Sequence, residues 1–535
     1  MRRRRPLVLA LPLLAALAGA PALMAVQPAA PAAFSDSLVP VDVQVLGRDG
    51  KPVTGLTRAD FTVLEDGVPQ QVREALPVAL APGTAAPDAR LAPRTGLGFA
   101  PPDRRIFVFV LGLGRLEDRS GMISGLTRFV RTQLLPQDEV AIFAYDRALD
   151  FTADHQQVAA ALERFKKGHS GVDFDLSAEL GPTKMGPLYG ARVLPKKLQA
   201  RIDQLVLGPN PPAPATVASE EIQGPDLVRM PLDAFMASCA TTLRDQNNLA
   251  SLMEYLRRFE GRKHVVFVTE QGLPWPSDDN DRALAALAND GRVSIHAVQA
   301  GGLLDPEAAK EMEATYQQAQ SFRSLRALSE LTGGVASITE QGPGVFDRID
   351  QATRSGYLLG YQSSNASWSG GYRAIVVRVN RPDVTVLYRH GYYREAGATG
   401  FNRRGFIAND RLSAGGIFRR EVGDIKVKAA VSSRDGNLVA EGKIDLKNVK
   451  VESAGGFRVG LLNVAVYCLD NGSNTVGTHA DALPLKLSEA DYAKYLESGY
   501  PYTIQFPAIR GTQNVRLVVY DFGSDLVGRA DTRVF

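Results

Sequence analysis

Four apolar runs constrain this chain more than any other feature: "IFVFVLG" from Ile106, "DEVAIFAY" from Asp138, "KHVVFVT" from Lys263 and "VSIHAVQ" from Val293. Each is too short to span a membrane and too continuous for a strand with one wet face, so each reads as a strand buried on both faces. Between them the period changes. Met122, Leu126, Phe129, Val130 and Leu134 keep helical spacing, as do Val158, Leu162 and Phe165, and then Leu249, Leu252, Leu256 and Phe259. Pro306 to Leu331 reads as a further helix, stopped by "TGG". Strand and helix in alternation predict an α/β domain over residues 104–356, a doubly wound and mostly parallel sheet, with Arg147 to Thr152 ("RALDFT") as a short edge strand.

The 535 residues are too many for one core, and the flanks have another rhythm. Residues 1–25 have the layout of an export signal: Arg2 to Arg5, an apolar stretch "PLVLALPLLAALAG", and small residues at Ala20-Pro21-Ala22. The alternative is an uncleaved anchor, since Leu7 to Val26 is nearly long enough to span, although Pro12 and Pro21 count against it. Residues 26–37 are an Ala/Pro linker. From 38 to 77 apolar and polar residues alternate around "RDGK" and Asp66-Gly67, which predicts a small β module; 78–103 is a second linker. Periodicity fades over 166–241, where "GPNPPAPATVASEE" is a Pro-rich loop, so this region reads as an insertion above the sheet. Strand patterns return over 357–395. Residues 410–535 read as a C-terminal β-sandwich with Asp-Gly and Asn-Gly turns and one short helix capped by Ser488.

Neither 38–77 nor 357–395 closes a core alone. Val41, Val43 and Val45 give one an apolar face, and Ile375, Val377 and Val379 give the other the same. Packing one layer on the other would bury both, with the α/β domain interrupting a single β-sandwich.

Charge excludes one class of partner. The net charge is +3, four of whose positives are Arg2 to Arg5, so the chain after cleavage stands near −1. No Lys/Arg cluster with interleaved aromatics occurs, and no nucleic acid partner is expected. Beyond residue 26 no stretch could cross a bilayer. Cys239 and Cys468, the only cysteines, lie far apart and are expected as buried free thiols.

A series of blocks now adds up in order: "GKPVTGLTRADFTVLEDGVPQQV", "FVRTQLLPQDEVAIFAYDRALDFTADHQQVAAALERF", "GRKHVVFVTEQG", "VSIHAVQAGGL", "LSELTGG" and "GYLLGYQ…GYRAIVVRV…YRHGYY". With them the chain from about Val39 to Tyr393 resembles the von Willebrand factor type A-related proteins abundant in acidobacteria. The resemblance implies a von Willebrand factor A-like fold framed by β-sandwich domains and a secreted or periplasmic location at the cell envelope. It also implies adhesion or interaction, with a protein or a cell-envelope polymer as partner. The usual ligand of that fold is a divalent cation, held by an Asp-x-Ser-x-Ser turn after the first strand, a Thr from a second loop and an Asp after the fourth strand. Here Gly112 stands where the Asp belongs, and the two Ser positions fall on Gly114 and Leu116. Glu270 is the one carboxylate after the fourth strand, and Thr242 corresponds to the loop Thr. Mg²⁺ needs near-octahedral oxygens with one or two carboxylates, and this set is too poor. The metal site therefore reads as degenerate, with no cofactor and a binding surface around Gly112, Gly114, Asp118, Ser120, Thr242 and Glu270. The alternative is a Mg²⁺-dependent adhesion domain using Asp118, Ser120 and Glu270, because "DRSGM" comes close to Asp-x-Ser-Gly-Ser-Met. Against it, acidic Glu117 and Asp118 fit a first helical turn, where the dipole favours them.

Other chemistry fails on spacing. Gly112-Leu113-Gly114 lacks the third Gly of a dinucleotide turn, Glu117 standing there instead, and no Gly-Lys-Ser/Thr follows for a P-loop. The six histidines are scattered, with His264 and His296 on buried strands and expected to be core residues. "GHSG" at Gly168 to Gly171 lacks the spacing of a nucleophile elbow and follows a helix. "SDDND" at Ser277 to Asp281 is explained by N-capping and solvation. No nucleophile, base and orienter come together, so no enzyme activity is expected.

Overall fold

The first strand among the described residues, β1 (Val39–Leu46), has two buried faces of opposite character. Val39, Val41, Val43 and Val45 enter one apolar core. Asp42 and Gln44, on the other face, are equally buried. The computed structural model describes residues 38–84, 91–94, 99–111, 121–180, 195–211, 231–234, 236, 246–269, 278–300, 323–337, 344–365, 371–394, 408, 411–412, 415–416, 422–524 and 526–534. After β1 come β2 (Phe61–Glu65), β3 (Val68–Gln70) and β4 (Val72–Ala79), the first two joined at Asp66-Gly67.

The chain then enters a six-stranded sheet: β5 (Ile106–Leu111), β6 (Glu139–Ala144), β7 (Arg147–Thr152), β8 (Lys263–Thr269), β9 (Val293–Gln299) and β10 (Ala336–Ser337). Their order is β10-β9-β8-β5-β6-β7, parallel throughout except for β7, which runs antiparallel on the edge. Helices α1 (Met122–Thr132), α2 (His155–Leu180), α3 (Lys196–Leu207), α4 (Gln246–Leu256), α5 (Asp278–Asp290), α6 (323–332) and α7 (Gly344–Arg354) accompany it. The unbroken apolar runs follow from two cores. Phe107, Phe109 and Leu111 of β5 pack with α1, α2 and α7, while Ile106, Val108 and Val110 point the other way, onto α4, α5 and α6.

Regular structure continues past residue 166, where the periodicity fades. Helix α2 continues to Leu180, with Phe165, His169, Val172 and Leu176 buried in succession at helical spacing. His169 hides this stripe because it counts as polar, yet it stacks on Phe165 at 5.3 Å. The two glycines that look like breakers are close-approach positions. A Cβ on Gly168 would stand 2.8 Å from the Leu205 side chain of α3, and one on Gly171 would stand 2.8 Å from Arg201.

Helix α7 ends at Arg354 and passes without a loop into β11 (Ser355–Tyr361). Then come β12 (Tyr372–Val379), β13 (Thr385–Tyr388) and β14 (Gly391–Tyr393). These close a frame with the first four strands, in sheets β13-β1-β11-β4 and β14-β12-β2-β3. The arrangement differs from one layer on another, since each sheet takes strands from both segments. β1 shows why: both of its edges are paired by returning strands, β11 on one side and β13 on the other. Interleaving satisfies backbone groups that a pure layer stack would leave on open edges. The two sheets share Glu65, whose carboxylate accepts from Tyr361 Oη (2.6 Å), Tyr392 Oη (2.9 Å), Ser363 Oγ (2.5 Å) and Arg373 Nη1 (2.7 Å).

The frame grips the α/β domain at one edge. Arg292, just before β9, makes two bonds to Asp42 (3.0 and 2.9 Å), and Arg262, just before β8, donates to Gln44 Oε1 (2.8 Å). Arg389 reaches Asn289 O (2.8 Å) and Pro40 O (2.6 Å), and the His390 amide donates to Leu331 O (2.9 Å). All these contacts lie at the amino-terminal ends of the parallel strands. The carboxyl ends lie a strand's length away, about 20 Å.

The C-terminal part holds β15 (Val427–Arg434), β16 (Asn437–Ile444), β17 (Glu452–Ala454), β18 (Phe457–Leu469), β19 (Thr475–Leu487), α8 (Glu489–Ser498), β20 (Tyr500–Pro507), β21 (Asn514–Asp521) and β22 (Leu526–Arg533). A β15-β16-β20 sheet and a β17-β18-β21-β22 sheet, with β19 added on β18, share one apolar core. Ser488 caps α8 by accepting from the Asp491 amide at 3.1 Å. Cys468 is a buried free thiol in that core, whereas Cys239 lies outside the described residues.

Candidate functional site

The order of the six-stranded sheet fixes where a ligand crevice can open. From central β5 the chain moves outwards through α1 to β6 and β7, then crosses back to β8 and continues the other way to β9 and β10. Direction reverses between β5 and β8, and open α/β sheets bind ligands outside the carboxyl ends at such a point. Leu111, the last residue of β5, lies opposite Val268 of β8 and Ala144 of β6. The carboxyl ends of β5 and β8 are therefore neighbours, and the sequence continues from them into residues 112–120 and 270–277. These include the sequence-predicted residues: Gly112, Gly114, Asp118 and Ser120 follow β5, and Glu270 follows β8. All five, and Thr242 before α4, lie outside the described residues. Thr269, the last residue of β8, is buried, and its carbonyl accepts from the Ala300 amide at 2.8 Å.

The β6 side of this edge carries a polar cluster that sequence reasoning missed. Tyr145 and Asp146 form the two-residue turn between β6 and β7, with Tyr145 in the left-handed region at φ 57°. Tyr145 Oη donates to Asp173 Oδ1 of α2 (2.8 Å). Arg147, buried on β7, makes two bonds to Asp233 (2.9 and 2.7 Å) and one to Asp203 of α3 (3.1 Å). Gln199 of α3 bridges Asp146 (3.3 Å) and Asp203 (3.0 Å). Asp150 accepts from the Asp233 amide at 3.1 Å. Burial pushes the Asp146 carboxyl up to about 6, the Gln199 bond opposing and the nearby Asp203 charge adding to the rise. Burial raises Asp150 as well. The signal was the string "YDRALD", three charges in a turn and edge strand. Its partners Asp203 and Asp233 sit in a stretch without legible periodicity.

Among the described residues no group of three His, Cys, Asp or Glu side chains is placed to hold a metal ion. His264 and His296 meet inside the α/β core, Nδ1 to Nε2 at 3.2 Å, and His296 Nδ1 accepts from the Val335 amide at 3.1 Å. That amide can only donate, so His296 carries its proton on Nε2 and donates to His264. Burial pushes both rings down, His296 to about 3 and His264 well below the free imidazole. The pair is neutral and structural. His155 and His169 bond a backbone carbonyl and Asp173, and "GHSG" lies within α2. Among the described residues no helix is long and apolar enough to cross a membrane.

No family model matches the chain, and no curated protein matches it. Among solved structures it is similar to the pilus adhesin SpaC from Lactobacillus rhamnosus GG, at 9% identity and a TM-score of 0.18. That comparison covers 92% of this chain and 60% of the adhesin, so the chain spans less than two-thirds of the adhesin's length.

Proposed function

We propose that this chain is an exported, non-enzymatic interaction module of the cell envelope, built on a von Willebrand factor A-like domain with a degenerate metal site. Its binding face is the carboxyl edge of the six-stranded sheet. One observation carries the reading: the β frame holds the α/β domain by the amino-terminal ends of β8 and β9, through Arg262, Arg292 and Arg389, at the end of the sheet opposite the proposed face. The doubly wound order with one antiparallel edge strand agrees with it. So does a core in which the histidines are neutral and mutually bonded. The partner is a protein or an envelope polymer that meets the segments after β5 and β8.

The test is retention of the chain from residue 26 on purified envelope polymers and envelope proteins, with Mg²⁺ or with EDTA, beside a variant carrying Asp118→Ala, Ser120→Ala and Glu270→Ala. Retention that survives EDTA and falls in the variant is the expected result. Retention lost in EDTA would instead select the Mg²⁺-dependent alternative through Asp118, Ser120 and Glu270. Retention unchanged in the variant would place the binding face elsewhere.

A further inference from the structure

A second concavity, of about 370 Å³, lies wholly on the frame, lined by Arg58, Ala59, Phe61, Thr62, Gln70, Gln71, Val72 and Arg73. A volume of this size is within the range of small-ligand sites. Its walls are the single 3₁₀ turn Arg58–Asp60 and the start of β4, and its floor is the β2–β3 hairpin. Several guanidinium groups elsewhere in the frame are engaged: Arg373 with Glu65, Arg389 with two carbonyls, Arg48 with Asp383. Arg58 and Arg73 differ. Both are exposed, and neither guanidinium has a hydrogen bond or ion pair among the described residues.

The neighbouring carboxylate of Asp60 is engaged by other groups. Asp60 Oδ2 accepts from the Thr57 amide (2.8 Å) and hydroxyl (3.0 Å), and Oδ1 faces Arg381 at 3.7 Å. Gln70 is held by Ser364, with bonds of 3.0 and 2.8 Å. Thr62 and Gln71 are exposed, and their side chains bond nothing described. The groove thus offers two forked cationic donors, one hydroxyl and one amide, over a floor whose only ring, Phe61, is buried.

We propose that this groove binds an acidic polysaccharide, with Arg58 and Arg73 pairing with uronate carboxylates and Thr62 and Gln71 bonding sugar hydroxyls. Guanidinium matches carboxylate with two parallel bonds, and unpaired amide and hydroxyl groups suit a polyhydroxylated chain. Nucleic acid fits poorly, because two cations neutralise few phosphates and no exposed ring is present for base stacking. An acidic peptide finds cations here but no apolar slot to anchor a side chain. The proposal is argued from the groove alone and does not rest on the carboxyl edge being a binding face.

The experiment is calorimetric titration of the chain from residue 26 with polygalacturonate oligomers, with dextran as the neutral polymer and poly-glutamate as the acidic peptide. Expected are binding to polygalacturonate and none to dextran. Arg58→Gln/Arg73→Gln should weaken binding by about a hundredfold at an unchanged melting temperature, each of the two lost charge-assisted contacts being worth about tenfold. Arg58→Lys/Arg73→Lys should recover part of it, since charge remains and the fork is lost. No binding by the unaltered chain, or equal binding by the Gln variant, would overturn the proposal. Equal binding of poly-glutamate through the same arginines would assign the groove to a peptide and overturn it as well. Polymer binding lost in the Asp118, Ser120 and Glu270 variant but kept in the Gln variant would leave the carboxyl-edge reading standing and remove this one.

Discussion

Acid should weaken this fold from within the α/β core, through His264 and His296. Both rings are neutral in the folded chain, because burial lowers their pKa below the free value of 6.5. An unfolded chain therefore takes up these protons first as pH falls. The contribution is complete above about pH 7, begins to fade near 6.5, and is lost progressively towards the folded value of about 3 for His296. At pH 5 the unfolded ring is about 1.5 units below its pKa and the folded ring is still neutral. At about 1.4 kcal/mol per unit, His296 alone costs about 2 kcal/mol between pH 7.5 and 5. His264 adds in the same direction. Urea unfolding followed by circular dichroism at both pH values measures the difference. A His264→Gln/His296→Gln variant keeps polar groups on both strands and removes the titration. Its loss on acidification should be smaller by at least the His296 share. A variant that keeps the full pH slope would refute the reasoning, whatever its absolute stability.

Asp42→Asn should destabilise the folded chain by about 3 kcal/mol in thermal or urea melts, because it removes the carboxylate charge that pairs with part-buried Arg292; burial alone would raise this carboxyl, and Arg292 and Arg262 hold it low. Glu65→Gln should cost about 2 kcal/mol at pH 7. Glu65 is held below its usual value of 4.5, Ser363, Tyr361 and Arg373 outweighing burial, so its contribution is present above that pH and falls away as the carboxyl protonates; the gap between variant and parent should narrow in melts at pH 3.5. Asp146 runs the other way: its stabilisation is full below 3.8 and lost as pH rises through about 6. Amide exchange in α3, corrected for intrinsic rate, should show firmer protection at pH 5 than at 7.5, and Asp146→Asn should abolish that difference. Millimolar Mg²⁺ should leave the melting temperature unchanged; a rise that disappears in Glu270→Ala would contradict the degenerate-site reading.

What the sequence made legible follows from how each signal arises. The buried strands of the central sheet were plain because a strand covered on both faces needs apolar residues at every position, and β5, β6, β8 and β9 are buried at every residue. Helix α8 was plain because Ser488 and Gly499 mark its ends locally. Helix α2 was cut short because its buried stripe passes through His169 and between two glycines whose purpose, contact with α3, is tertiary. The frame's interleaving was hidden for a similar reason. Alternation in β1 states which face is apolar, but not whether its edge partners come from 61–79 or from 355–388. The predicted site residues lie outside the described residues, and strand order shows only that β5 and β8 end side by side. The Arg147 cluster beside them was not legible, because its carboxylates come from residues 146, 150, 203 and 233, brought together only when α3 docks on the edge strand.

The junction between frame and α/β domain shows the same limit with more consequence. Arg262 and Arg292 each stand one residue before a buried strand, positions where an arginine ordinarily reaches water, and nothing local marks them as buried. Nor does Asp42 in "VDVQV" announce a burial partner. Once assembled, the cations outnumber the carboxylate they face. Arg292 takes Asp42, while Arg262 is held by Gln44 and Ser294, and Arg389 by the carbonyls of Pro40 and Asn289. Burial lowers Arg262 and Arg389 to about 10, which leaves both charged at any physiological pH. A buried guanidinium satisfied by neutral oxygens depends on direction more than on charge, since each N–H must meet its acceptor or go unpaired. Bonds from β1, and from the ends of β8, α5 and β13, therefore fix one orientation of the α/β domain on the frame. A loosely tethered domain would lose orientational freedom on meeting its partner, and that loss opposes binding. Here that freedom is already given up in folding, so any partner of the proposed binding edge would meet the α/β domain in one fixed orientation on the frame.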